Sequence, residues 1–238
     1  DDDVDRLLSA LQRNSTVTDI LLQDNPDISG ASIDRLAAVV GPNSDRQAGG
    51  CFASGGSCSV AVVVLDRTGV DDAAKYSLAR QIDLRRLSLG QLHTLDWSTG
   101  DVADADVNAL VSVLATKDGC VLTDLNLSAN LGVADGDPIV QLARTHGSLR
   151  AVNIDGTSVD GGGAASIAAA LRARALQPEV DAVANNSLHR LDWSSKNISD
   201  DDVDRLIEAL KSNSTVSDIL LQGNAEVTDA SIDRLAAV

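Results

Sequence analysis

Residues 121–130 read VLTDLNLSAN, with aliphatic side chains at Leu122, Leu125 and Leu127 and an amide at Asn130. The spacing places Leu125 and Leu127 on one face of a short strand, because successive side chains of a strand point to opposite faces. The Asn130 amide can both donate and accept hydrogen bonds where the chain turns away from the strand. The stretch therefore predicts a short strand with one buried face, followed by a turn that the asparagine stabilises.

The same signature recurs along the chain and predicts seven strands. They lie near residues 17–22, 60–65, 92–97, 122–127, 149–154, 188–193 and 216–221. Between them the apolar period changes to that of a helix, as at Val107, Leu110, Val111 and Leu114. Each unit is therefore predicted to contain a strand, a loop, a helix and a second loop.

Two irregular segments lengthen this pattern. Residues 41–59 are rich in glycine and serine and are predicted to form an insertion loop. Residues 172–187 extend the helical part of the fifth unit, where Pro178 predicts a break in the helix.

A single unit of this kind cannot bury both of its apolar faces, whereas stacked units can. The fold class expected for residues 1–238 is thus α/β, as one solenoid domain with a horseshoe curvature. Its strands form a parallel β-sheet on the concave face, and its helices cover the convex face.

A larger duplication underlies the repeats. Residues 1–39 and 200–238 are identical at 28 of 39 aligned positions, and LHTLDWS at 92–98 matches LHRLDWS at 188–194. The chain begins and ends at the same phase of this block, which predicts a fragment of a longer array. Trp97 and Trp193 occupy a core-facing position of the signature and are predicted to be buried.

The stretches NSTVTDILLQDN at 14–25, VLTDLNLSAN at 121–130 and NSTVSDILLQGN at 213–224 each adjoin a helix. They resemble the ribonuclease-inhibitor-like class of leucine-rich repeats, which includes the repeat domains of tropomodulin and of Ran GTPase-activating protein. The resemblance covers nearly the whole chain, although ribonuclease inhibitor is dense in cysteine and this chain is not. It implies a non-enzymatic scaffold for protein–protein interaction in the cytoplasm.

Two other functions remain open at this point. One is a GTPase-activating or other regulatory module, and the other is a structural segment of a larger cytoskeletal or flagellar protein. A signal on a preceding segment would instead make the protein secreted or cell-surface.

The composition of the chain limits the classes of partner that we expect. The net charge of −16 and the lack of a Lys/Arg-rich run argue against nucleic acid and favour a basic protein partner. No stretch approaches the roughly 20 apolar residues of a membrane span. The three cysteines, Cys51, Cys58 and Cys120, match no zinc spacing, and a disulfide between Cys51 and Cys58 stays open. No cofactor, metal site or catalytic residue is predicted, and the oligomeric state is left open.

The candidate binding surface is a polar stripe on the concave face. Its members carry carboxylate, amide or hydroxyl groups on or just after the predicted strands: Asp96, Asp124, Asn126, Asn153, Asp155, Asp192 and Ser194. Exposed sheet residues that packing does not require are a usual place for recognition on repeat proteins. The alternative is that these side chains are merely solvated. A calcium site is disfavoured, because the residues come from different repeats and lack the spacing of a loop that encloses a hard cation.

Overall fold

The computed structural model describes residues 2–11, 14, 16–40, 60, 62–115 and 121–238. Helices and strands alternate along these residues. The helices are α1 (Asp2–Leu11), α2 (Gly30–Val40), α3 (Asp72–Ser88), α4 (Asp104–Ala115), α5 (Asp137–Thr145), α6 (Gly161–Ala184), α7 (Asp200–Leu210) and α8 (Asp229–Ala236). The strands are β1 (Asp19–Leu21), β2 (Val62–Val64), β3 (Thr94–Asp96), β4 (Asp124–Asn126), β5 (Ala151–Asn153), β6 (Arg190–Asp192) and β7 (Asp218–Leu220).

All strand pairs in the described residues are parallel, which confirms the α/β class with parallel strands. The strands form three small sheets, β1–β2, β3–β4–β5 and β6–β7, rather than the one continuous sheet that the sequence predicts. A cavity of about 390 Å³ lies beside β2, and it is lined by β2 and by residues of α3 that include Asp83. Asp83, which lines this cavity, accepts a hydrogen bond from Trp97, just after β3.

The chain divides into two compact units, Asp1–Ile167 and Ala168–Val238. In each, the helical stripes pack on the buried side of the strands. The first unit buries Leu8, Ile33 and Leu36 with Ile20 of β1. The second buries Trp193 with Leu176, Val203 and Leu206. Both tryptophans are buried, as predicted: Trp97 is 5% exposed and Trp193 is 0% exposed.

Helix α6 runs without interruption through Pro178, so the predicted break there is wrong. A proline inside a helix lacks an N–H and crowds the carbonyl four residues earlier, which costs about 3 kcal/mol. Leu176 before it and Val180 and Val183 after it all enter the core of the second unit. Burying three aliphatic side chains contributes about 1.5–3 kcal/mol each, which offsets the cost of the proline.

Each of the strands β1 to β7 is followed by the same backbone feature. The third residue after each strand has a φ between 53° and 77°, and these residues are Asp24, Arg67, Thr99, Ala129, Gly156, Ser195 and Gly223. Only glycine adopts this left-handed conformation without strain. Five of the seven turns therefore hold a non-glycine residue in a strained conformation, and Thr99 is β-branched.

Replacing Thr99 with glycine is expected to stabilise the first unit by about 1 kcal/mol, because it removes this strain from an exposed position. Thermal unfolding measures the effect, as a rise in Tm of about 2–4 °C. Gly156→Ala is the matched control of opposite sign: an added Cβ meets no atom closer than 3.5 Å, so only the φ of +71° opposes it. A drop in Tm for Thr99→Gly would contradict the expectation.

Candidate functional site

The sheet β3–β4–β5 brings most of the predicted stripe together. Its strands are in register, so that Asp96, Asn126 and Asn153 lie side by side across the sheet. Asp124 lies on β4 beside Thr94 and Ala151, and Asp155 follows β5. We call Asp96, Asp124, Asn126, Asn153 and Asp155 the polar face. Leu95 and Leu125, between its rows, point the other way and are buried.

Three side chains of the polar face are held by short-range hydrogen bonds. Asp96, Asn126 and Asn153 each accept from the backbone N–H two residues later, at 3.0, 3.1 and 3.0 Å respectively. The Asn126 amide also donates to Asp96 Oδ1 at 3.0 Å, which links β3 to β4. Because these side chains are already held in place, less side-chain conformational entropy would be lost if another molecule bound to them.

The polar face keeps its negative charge. The backbone N–H of Ser98 lowers the pKa of Asp96, and the Ser98 hydroxyl and the Asn126 amide act in the same direction. Because its pKa is lowered, Asp96 remains ionised well below neutral pH. Asp124 is also exposed, and its Oδ2 accepts from Thr123 Oγ1 at 2.5 Å. Three carboxylates, including Asp155, therefore share this face with two amides.

The last two stripe residues lie in the second unit. Asp192 Oδ1 accepts from the Ser194 hydroxyl at 2.6 Å and from the Ser194 N–H at 3.1 Å. These bonds, with smaller effects from Arg190 and Lys196, lower the pKa of Asp192. Its neighbour on β7 is the aliphatic Leu220. The seven predicted residues thus form a group of five in the first unit and a pair in the second.

The sequence analysis did not predict that each tryptophan indole donates a hydrogen bond to a carboxylate. Trp97 Nε1 donates to Asp83 Oδ2 at 3.0 Å, and Trp193 Nε1 donates to Glu179. Burial raises the pKa of Asp83, although the Trp97 indole and the Arg86 guanidinium oppose this effect. In both cases the acid lies 14 residues before the tryptophan. The same spacing in both copies of the duplicated block is the sequence pattern that could have indicated these two pairs.

The asparagines after the strands tie neighbouring repeats together. Asn130 donates to the carbonyls of Trp97 and Leu127, both at 2.8 Å, and accepts from Val102 N–H at 3.0 Å. Asn224 makes the same three contacts, to Trp193, Leu221 and Ile198. Both are buried, and their bonds to Leu127 and Leu221 confirm the prediction that the asparagine stabilises the turn after the strand.

Asn25 occupies the same position after β1 but has a different environment. It is exposed, and among the described residues it donates only to Leu22 and Gln23 in its own turn. Asn130 and Asn224 each bind the backbone of a preceding repeat that contains a tryptophan. Asn25 has no such repeat in the described part of the chain.

Other predicted features bear on function less directly. Within the described residues, no three His, Cys, Asp or Glu side chains group as a metal site would require. No helix in those same residues is both long and apolar enough to cross a membrane. The predicted loop at 41–59 and the three cysteines lie outside the described residues.

Comparison with known proteins gives no family assignment. No protein-family model matches the chain, and no curated protein matches it significantly.

Proposed function

We propose that the chain is a leucine-rich-repeat protein of the ribonuclease-inhibitor-like class, with its strands on the concave side of a curved solenoid. Three observations support this proposal. Helices and parallel strands alternate, each strand lies within one of the seven segments that carry the signature, and the buried asparagines bond to the backbone of the preceding repeat.

We further propose that the polar face of β3–β4–β5 binds a basic protein partner and catalyses no reaction. The observation that carries this proposal is the composition of the polar face: Asp96, Asn126 and Asn153 lie in register across three strands, and the exposed carboxylates of Asp124 and Asp155 lie on β4 and just after β5. Carboxylates form strong, directional hydrogen bonds with arginine and lysine side chains. The net charge of −16 would also steer a basic partner toward the chain.

The alternative role of these side chains is to terminate the strands through their bonds to the backbone. The other repeats argue against this as a complete explanation. β1, β2 and β7 end in Leu21, Val64 and Leu220, whose side chains cannot accept such a bond. They are nevertheless followed by the same left-handed turn, at Asp24, Arg67 and Gly223. The turn therefore forms without a polar residue at this position, so strand termination does not by itself account for these polar side chains.

The test is a double charge reversal, Asp124→Lys with Asp155→Lys, which leaves the backbone bonds of Asp96, Asn126 and Asn153 in place. With the immobilised chain and native extract, we expect the captured partner's affinity to fall by about tenfold or more, since each reversed contact costs about 1 kcal/mol. Circular dichroism and Tm should stay near the wild-type values.

A matched control carries the same change in charge away from the polar face. Asp34→Lys with Asp233→Lys alters two exposed helical positions that are equivalent in the duplicated block. This variant should bind like the wild type at physiological salt. Equal losses in both double variants would indicate only a net-charge effect, and unchanged binding in the first would refute the proposal.

A further inference from the structure

The cavity of about 390 Å³ beside β2 has mostly apolar walls. The region of β2 contributes Val63 and Leu65, and α3 contributes Leu78 and Ile82. Its volume lies in the range of about 300–1,000 Å³ that is usual for small-molecule sites. Such sites combine apolar walls with a few polar groups that orient the ligand, so the polar groups of this cavity decide which ligand it fits.

Three charged side chains line the cavity, those of Asp66, Lys75 and Asp83. Lys75 and Asp83 are eight residues apart on α3, which separates them by about 12 Å along the helix axis. Lys75 already has a carboxylate partner, since its Nζ lies 3.4 Å from Asp72 Oδ1. Asp66 is exposed, so water can solvate its charge. The charged group that a ligand can best satisfy is therefore Asp83.

Asp83 is half-buried, and among the described residues no cation lies within hydrogen-bonding distance of it. Its Oδ2 accepts from the Trp97 indole at 3.0 Å, and its Oδ1 lies 4.0 Å from the Arg86 guanidinium. The side chain is 26% exposed, and this burial raises its pKa. A cation that bonded to the carboxylate would offset the free-energy cost of burying its charge.

The duplicated block shows which cation such a carboxylate takes. Glu179 is the counterpart of Asp83, and it likewise accepts from the indole of its tryptophan, Trp193. It also accepts from the Lys196 ammonium, at 2.7 and 3.0 Å. Because LDWSTG in the first copy aligns with LDWSSK in the second, Gly100 stands where the second copy has Lys196. The first unit thus keeps the carboxylate and the indole, and it has a glycine in place of the lysine.

We propose that the cavity binds a small aliphatic primary amine, whose ammonium group bonds to Asp83 and whose hydrocarbon chain lies against Leu65, Leu78 and Ile82. The lysine side chain is itself a primary ammonium on an aliphatic chain, so the pair of Lys196 with Glu179 indicates this chemical class. The charge-assisted hydrogen bond orients the ligand, and burial of its chain adds apolar area. The cavity is separate from the polar face, and the inference does not rest on the proposed function.

Hexylamine is the probe, because it is protonated at neutral pH and carries no other polar group. Titration of the ¹⁵N-labelled full chain, followed by NMR, is expected to give a dissociation constant of about 1 mM, the scale for roughly seven non-hydrogen atoms. The shifts should concentrate at the amides of Val63, Leu78 and Ile82. Hexanol and hexanoate carry the same chain and should bind about tenfold more weakly or not at all. Equal binding of hexanol, or tighter binding of hexanoate, would overturn the proposal.

Charge removal at two positions of the cavity tests the contact with Asp83. Asp83→Asn keeps an oxygen that can accept from the Trp97 indole, and it should weaken hexylamine binding by about tenfold. Asp66→Asn is the matched control, since it removes the same charge from an exposed position of the cavity. It should bind hexylamine within about twofold of the wild type. Equal losses in the two variants would show a net-charge effect and rule out the bond to Asp83.

Adding the lysine of the second copy gives an independent test. Gly100→Lys is expected to place an ammonium against Asp83, as Lys196 lies against Glu179, and so to weaken hexylamine binding by about tenfold. Gly100→Ala is the control for the added side chain, because in either variant the Cβ would lie 3.3 Å from the Trp97 carbonyl oxygen. It should bind like the wild type. Unchanged binding in Gly100→Lys, or an equal loss in both variants, would contradict the proposal.

Discussion

Replacing Trp193 with alanine is expected to destabilise the second unit by about 3–5 kcal/mol, the usual cost of removing a large buried aromatic side chain. Trp193 is 0% exposed and packs among aliphatic residues of α6 and α7. Its loss also leaves Glu179 without the indole N–H, although Lys196 still contacts that carboxylate at 2.7 Å. Urea-induced unfolding followed by far-UV circular dichroism measures the loss.

Two further variants separate packing from hydrogen bonding. Trp193→Phe keeps most of the buried area and removes the indole N–H, so it should cost about 1–3 kcal/mol. Trp97→Ala makes the same change in the first unit, where the indole donates to Asp83. A loss below about 1 kcal/mol for Trp193→Ala would show that the core refills the space, contrary to the packing described.

The second large effect is expected for Asn130→Ala, at about 3–4 kcal/mol, because several buried backbone groups lose their partner together. The asparagine is 2% exposed and satisfies the carbonyls of Trp97 and Leu127 and the N–H of Val102. Water does not readily replace it at a buried position. Equilibrium unfolding in urea measures the effect on the first unit.

Asn25→Ala is the matched control, because Asn25 has the same place in its repeat but is exposed and bonds only within its own turn. We expect it to cost about 0.5–1 kcal/mol. Similar losses for the two asparagines would mean that the bonds to the preceding repeat contribute little.

Much of the local structure could be predicted from the sequence, because it depends on period. The alternation around Leu125 and the helical stripe from Val107 to Leu114 correspond to β4 and α4. The break between β2 and β3 could not be predicted, since pairing depends on how closely neighbouring repeats pack. The predicted helix break at Pro178 was wrong because the sequence shows the free-energy cost of a proline inside a helix, but it does not show the burial of Leu176 and Val180 that offsets this cost.

The candidate site was predictable in position but not in detail. The signature placed Asp96, Asn126 and Asn153 at equivalent strand positions, and the register aligns them. It did not indicate that each side chain accepts a hydrogen bond from the backbone two residues later, because this depends on the turn. Nor did it separate Asp192 from the others, since the division of the chain at residue 167 depends on contacts between distant residues.

The near-identity of residues 1–39 and 200–238 creates a competition during folding. The tryptophan-bearing repeat around Trp193 can meet either stretch, and repeat proteins are prone to such misassembly. Gly223 discriminates between them, because a Cβ there would lie 2.6 Å from Ser195 Oγ and the first stretch carries Asp24 at that position. Docking the wrong stretch requires Ser195 to move, whereas docking the correct one does not. Because the Ser195 hydroxyl can rotate away, this glycine contributes a small preference for the native pairing.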